Sequence, residues 1–125
     1  MLAEIIENKR KEVEISKRKF PLSSFQSRLK ISTRNFKKAI SKNKLNIIAE
    51  IKRASPSNRN SKKIDLGKIA GIYDKYADAI SVLTDKQFFN GSLKDLKEVS
   101  KISKLPLLRK DFIVDEYQIY ESRLF

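Results

Sequence analysis

Residues 46–57, Asn46-Ile47-Ile48-Ala49-Glu50-Ile51-Lys52-Arg53-Ala54-Ser55-Pro56-Ser57, decide how the chain is read. The segment begins apolar and rich in Ile, as a buried strand does. It then sets Glu50 and Lys52 two residues apart, which places both on one face of a strand. Ile48 shares that face, while Ile47, Ala49 and Ile51 form an apolar face behind it. The segment ends in a Ser-Pro-Ser loop. A strand with one apolar face and one ionisable end is covered on one side and performs some task on the other.

Outward from this strand the pattern becomes regular. Asp65 is placed to cap a helix running to about Ala77, with Leu66, Ile69, Ala70, Ile72 and Tyr73 on its buried side. Residues 79–84, AISVLT, read as a second strand, followed by the loop DKQFFNGS. Ser92 caps the next helix, and Asp95 three residues later completes a box-like start. That helix carries Leu93, Leu96, Val99 and Ile102 at helical spacing. Pro106 enters a third strand, LLRKDF, and Asp115-Glu116 open a last helix. Alternating short apolar strands and amphipathic helices predict an α/β fold with a parallel sheet.

Before residue 46 no strand is expected. Residues 2–18 form an amphipathic helix with acids early and Lys17, Arg18 and Lys19 late, which suits the helix dipole. Pro21 stops it. Ser23-Ser24 are placed to cap a short second helix holding Phe25 and Leu29, and a further turn or two spans Asn35 to Ser41. The expected organisation is a helical extension over 1–45 and three βα units over 46–125. The chain has three Gly, none in a fingerprint after the first strand, so a dinucleotide fold is not indicated. Ionisable residues at strand ends fit a (β/α)8 barrel, whose sites lie at the C-terminal ends of the strands.

Composition limits the chemistry. The 125 residues include no Cys and no His, which removes disulfides, thiolate metal sites and the commonest general base. Acid–base work falls to carboxylates and amines. No stretch is apolar enough for a membrane span or a signal peptide, so a soluble, cytoplasmic protein is expected. The net charge is +13, and all of the excess lies in residues 1–64, with 18 Lys or Arg against 5 Asp or Glu. Lys17 to Ala49 holds ten basic residues and no acid. Such a run could neutralise nucleic-acid phosphates, so a basic binding module is the alternative reading. Against it, 20 of the 28 basic residues are Lys, and the interleaved Phe20, Phe25 and Phe36 follow no stacking spacing.

The candidate site gathers at the strand ends. Leu108, Lys110 and Phe112 share one face of the third strand, so Lys110 and Lys52 are placed to approach Glu50 from two strands. A partly desolvated lysine among other cations is a competent general acid. Phe88-Phe89 in the loop after the second strand either plug the rim or wall a pocket for a planar substrate. Ser55 and Ser57 either donate to a phosphate or form a turn.

Three blocks carry a resemblance to a known family. IIAEIKRASPS (47–57), ISVLTDKQFFNGSLKDL (80–96) and LPLLRKDFIVDEYQIYE (105–121) resemble indole-3-glycerol phosphate synthase in order and spacing. The likeness is close over 46–125 and looser over the N-terminal helices. It implies a TIM barrel and a cofactor-free lyase of tryptophan biosynthesis. Such an enzyme closes the indole ring of 1-(2-carboxyphenylamino)-1-deoxyribulose 5-phosphate, with loss of carbon dioxide and water. It also implies roles: Lys110 as general acid, Lys52 holding anionic groups and assisting dehydration, and Glu50 positioning the lysines and sharing in proton transfer. Leu83, Phe89 and Phe112 would line the aromatic pocket, and Ser55 would help bind phosphate. The departure is length, because a closed barrel needs about 200 residues or more. The chain is read as the front part of a full-length enzyme. A natural truncation, or a barrel completed by a second chain, are the other readings, and the partners expected are the missing barrel half or fused pathway enzymes. Alone, the 125 residues are expected to be inactive.

Overall fold

The computed structural model describes all 125 residues, Met1–Phe125. Its order is α1 (Leu2–Lys19), two short 3-10 turns, α2 (Phe36–Ala39), β1 (Ile48–Ile51), α3 (Leu66–Tyr76), β2 (Ala79–Leu83), α4 (Leu93–Ile102), β3 (Leu107–Lys110) and α5 (Tyr117–Leu124). The chain divides into two compact units, one of residues 33–111 and one of residues 1–32 with 112–125.

The 33–111 unit is built on a three-stranded parallel sheet in the order β1-β2-β3. The strands are connected through α3 and α4, so the expected βαβαβ pattern is present. β2 lies in the centre, and all five of its residues are buried. This accounts for its unbroken run AISVL, since a central parallel strand covered on both faces has no polar alternation. Its Ile80 and Val82 are buried together with Ile51 of β1, Ala70 of α3 and Leu96 and Val99 of α4. Ile72 and Ile102, expected on buried helix faces, are instead 43% and 42% exposed. Both lie near the margin of a helical stripe that the small sheet is too narrow to cover.

Local chemistry starts each helix. The Asp65 carboxylate accepts from the Lys68 N–H, and the Ser92 hydroxyl accepts from the Asp95 N–H, each at the start of its helix. Such caps contribute about 1 kcal/mol each. Asp95 does not close the expected box. Its carboxylate is taken by Arg53, with Nε–Oδ2 at 2.9 Å and Nη2–Oδ1 at 3.1 Å. This bidentate pair ties the chain just after β1 to the first turn of α4. Arg34 braces the other end of that helix by donating to the carbonyls of Ser100 and Leu105.

The connection after β2 is a tight turn. The Asp85 carboxylate accepts from the Phe88 N–H at 2.8 Å, Asn90 adopts φ 51°, and the Gly91 N–H donates to the Asp85 carbonyl. The turn drives Gly91 against β2, where an added Cβ would lie 2.1 Å from the Leu83 carbonyl oxygen. Only glycine fits there.

In the other unit, α1 and α5 accompany the two 3-10 turns Leu22–Ser24 and Gln26–Arg28. These turns replace the expected second helix. Ser24 does not cap; its hydroxyl donates back to the Pro21 carbonyl at 2.6 Å, and Phe25 interrupts the pair with ψ −10°. Phe25 is nonetheless fully buried, stacked on Phe20 with centroids 5.1 Å apart and edge-on to Tyr117 at 5.9 Å. Burial of that ring, rather than helix propensity, holds the segment. Gln118 is also fully buried, and its amide folds residues 112–115 by accepting from Val114 and Asp115 and donating to the Phe112 carbonyl. No helix is long and apolar enough to cross a membrane.

Asp78 anchors the entry to β2. Its carboxylate accepts from the Ile47 N–H at 2.9 Å and pairs with Lys42 and Lys44 at 3.1 and 3.0 Å, with its side chain 4% exposed. The Ile47 N–H first, then Lys44 and Lys42, hold the carboxyl well below the ordinary carboxylate range. A depressed carboxyl contributes stability that is fully present above its unfolded pKa of about 4 and lost as pH falls below it. Asp78→Asn is therefore expected to reduce the urea midpoint at pH 7 and to flatten its decline below about pH 4. A second test follows from Gly91. Gly91→Ala is expected to cost about 2 kcal/mol or more, roughly 10 °C in Tm by calorimetry.

Candidate active site

The sheet register places the ionisable residues. Glu50 lies opposite Ser81, Ser81 opposite Leu108, and Leu83 opposite Lys110. In-register parallel residues share a face, so Glu50, Ser81, Leu83, Leu108 and Lys110 stand on one side of the sheet. Ile51, Val82 and Arg109 stand on the other. Lys52 follows β1 directly and continues the Glu50 face.

On that face two lysines converge on one carboxylate. The Lys110 ammonium bonds Glu50 Oε2 from across β2, and the Lys52 ammonium lies 3.4 Å from Oε1. On β2 the same face carries Ser81 at the level of Glu50 and Leu83 at the level of Lys110. Glu50 is also fixed from behind, where the Tyr73 hydroxyl of α3 donates to its carbonyl at 2.8 Å. The side chains are 29% exposed for Glu50, 46% for Lys52 and 53% for Lys110, so the cluster is open to solvent. Burial pushes the Glu50 carboxyl up, but the hydrogen bonds and charges of Lys110 and then Lys52 outweigh it, and the net shift is downward. The carboxylate is thus ionised near neutrality. Chemically, the trio offers two ammonium donors and one fixed acceptor through which a proton can pass.

The other sequence-predicted residues are distributed unevenly. Leu83 is buried at the end of β2, in register with Lys110. The two phenylalanines of the following loop part company: Phe88 is 9% exposed and packs inward, whereas Phe89 is half-buried. Ser55 sits in a turn closed by reciprocal backbone bonds with Asn58; its hydroxyl accepts from the Asn58 N–H and lies 3.1 Å from that of Ser57. Phe112 is half-buried and opens the second segment of the other unit, where its carbonyl accepts from the Gln118 amide. No group of three or more His, Cys, Asp or Glu side chains stands close enough to hold a metal ion.

Residues passed over in the sequence frame the site. Thr84 and Asp111 sit at the ends of β2 and β3, where Thr84 Oγ1 donates to Asp111 Oδ2 at 2.7 Å. A Thr ending one strand and an Asp ending the next were the available signal, but pairing them required the register.

Parallel βα units with their charged residues at the strands' C-terminal ends define the class: the 33–111 unit is built as successive units of a β/α barrel. A family model described as Indole-3-glycerol phosphate synthase matches residues 2–125. The chain therefore belongs to the indole-3-glycerol phosphate synthase family, a TIM-barrel family. It is 50% identical over 127 residues to the indole-3-glycerol phosphate synthase of Thermoanaerobacter pseudethanolicus, covering 99% of this chain and 49% of the relative. With that of Clostridium acetobutylicum it shares 40% identity over 129 residues, covering 99% and 49%. A protein of Salmonella typhi named "Tryptophan biosynthesis protein TrpCF" is 44% identical over 126 residues, covering 100% of this chain and 28% of the relative. The chain thus spans about half the length of the synthases it matches, and it corresponds to their N-terminal part. The family match includes the basic run of residues 17–49, so the alternative reading of that run as a separate nucleic-acid module gains no support.

The lysine clamp has a direct consequence. Lys110→Met removes the largest favourable influence on the Glu50 carboxylate, so the Glu50 pKa is expected to rise. Carbon-detected NMR titration of the Glu side chains measures it, with the sign set by loss of a neighbouring positive charge.

Proposed function

We propose that this chain carries the ring-closing half of an indole-3-glycerol phosphate synthase site. The observation that supports this best is Glu50 held between Lys52 and Lys110 at the ends of β1 and β3, in a chain whose family match runs over 2–125. In this reading the substrate is 1-(2-carboxyphenylamino)-1-deoxyribulose 5-phosphate, a small anionic molecule that a positive protein attracts. The Lys110 ammonium protonates the ketone oxygen as the aromatic ring carbon bonds to the carbonyl carbon. The carboxylate then leaves as carbon dioxide, its bonding electrons restoring the ring, and dehydration follows. Lys52 holds an anionic substrate group and assists loss of water. Glu50 keeps both ammoniums in place and relays protons between them and the substrate.

Leu83 and Phe89 line the aromatic portion of the pocket in this proposal, and Ser55 contributes to the phosphate site; all three lie in the 33–111 unit. The chemistry uses amines and a carboxylate alone, so no cofactor is assigned. In this reading the protein works in the cytoplasm, in tryptophan biosynthesis. The Salmonella relative, a tryptophan biosynthesis protein of which this chain covers 28%, supports fusion to further pathway segments.

The chain covers 49% of the Thermoanaerobacter relative, and in this reading the remaining catalytic and phosphate-binding groups belong to the other half. Purified 125-residue protein is therefore expected to form no indole-3-glycerol phosphate. Joining it to the C-terminal half of the Thermoanaerobacter relative is expected to create turnover, read by product fluorescence. Lys110→Ala in that joined protein should lower kcat by about 10²–10⁴-fold. Robust turnover by the homogeneous 125-residue protein, or an active Lys110→Ala variant, would contradict the proposal.

A further inference from the structure

Lys110 stands at the last position of β3, where a strand ordinarily frays. Both of its neighbours turn their side chains to the opposite side, as the two-residue period requires. There Arg109 and Asp111 are withdrawn from solvent, with side chains 8% and 1% exposed. They meet at one residue of the adjacent strand end. Thr84 Oγ1 donates to Asp111 Oδ2 at 2.7 Å and accepts from Arg109 Nε at 3.2 Å, while Arg109 Nη2 donates to Asp111 Oδ2 at 3.2 Å. The Thr84 backbone N–H donates to the Lys110 carbonyl at 3.1 Å. A single threonine therefore holds the catalytic candidate's own backbone and both flanking side chains.

Such a knot is more than a stabilising pair requires. Arg109 and Asp111 are adjacent enough on one strand to pair without help, and a buried ion pair by itself contributes little net stability. The threonine hydroxyl adds a cross-strand tie, using its donor and its acceptor capacity at once. The tie fixes the Cα–Cβ direction of Lys110, and with it the origin of a long arm that must cross β2 to reach Glu50.

We propose that Thr84, with the Arg109–Asp111 pair, is a positioning device that aims the Lys110 ammonium at the Glu50 carboxylate from behind the sheet. The inference rests on the synthase reading for what Lys110 does, but not for how Lys110 is held.

Its test therefore avoids turnover. The 125-residue protein is titrated by NMR at the Glu50 carboxyl, which faces Lys52 and Lys110 as its charged neighbours. Lys110→Met sets the upward shift that follows complete loss of the ammonium. Thr84→Val removes the hydroxyl at nearly constant shape and leaves the Arg109–Asp111 pair in place. It is expected to give about half or more of that upward shift while Lys110 remains present, and Thr84→Ser is expected to restore the wild-type value. A Thr84→Val protein with a native-like spectrum and an unmoved Glu50 titration would overturn the proposal. So would an equal shift in Thr84→Ser. If Thr84→Val does not fold, Thr84→Ala carries the same comparison; loss of the native spectrum in both would make Thr84 a folding element and refute a positioning role. A synthase reading that fails on other grounds leaves this titration unchanged, so the two failures are distinguishable.

Discussion

The parallel register between β2 and β3 governs everything that this chain can do. It sets Leu83 opposite Lys110 and Val82 opposite Arg109, which sends the two adjacent basic side chains to opposite sides of one sheet. A slip of one residue would exchange them, because side chains alternate with a period of two. Arg109 and Asp111 would then both turn to the Glu50 face, and Lys110 would be carried behind the sheet, away from the carboxylate it pairs with. The sheet thus sorts two cations of similar charge into different tasks by geometry alone. One is locked behind the strands, and the other is left open to solvent in front of them.

Much of this arrangement was legible in the chain. The strand spacing, the Asp65 and Ser92 caps and the common face of Glu50 and Lys52 all follow from local rules, since neighbours in sequence decide them. The approach of Lys110 to Glu50 was inferable from alternation along two strands, once a parallel sheet was assumed. The family blocks strengthened that assumption, and the matched family over 2–125 agrees with it.

What was not legible depended on distant partners. Asp95 looks like the second half of a capping box, yet Arg53, 42 residues earlier, binds its carboxylate. Ser23-Ser24 look like a cap, yet burial of Phe25 against Phe20 and Tyr117 sets that segment as 3-10 turns. The pair Phe88-Phe89 gave no means of telling which ring would turn inward, because the fold of the 85–91 turn makes that choice. Thr84, Arg109 and Asp111 each look unremarkable alone and become a network only when two strand ends are brought side by side. Local grammar reveals elements and faces; long-range pairing assigns the individual polar side chains.

The order of residues on the open face has one more implication. Ile48 precedes Glu50 and Lys52 on β1 and Leu108 precedes Lys110 on β3, the two apolar residues being 44% and 43% exposed. Because the strands run in one direction, these differences add instead of cancelling, as they would in an antiparallel sheet. On β1 and β3 alike the polarity of this face therefore rises towards the C-terminal end of the strand, on either side of a β2 whose own residues, Ser81 and then Leu83, run the other way. Chain direction itself thus gathers the charge at one rim of the face instead of spreading it along the strands.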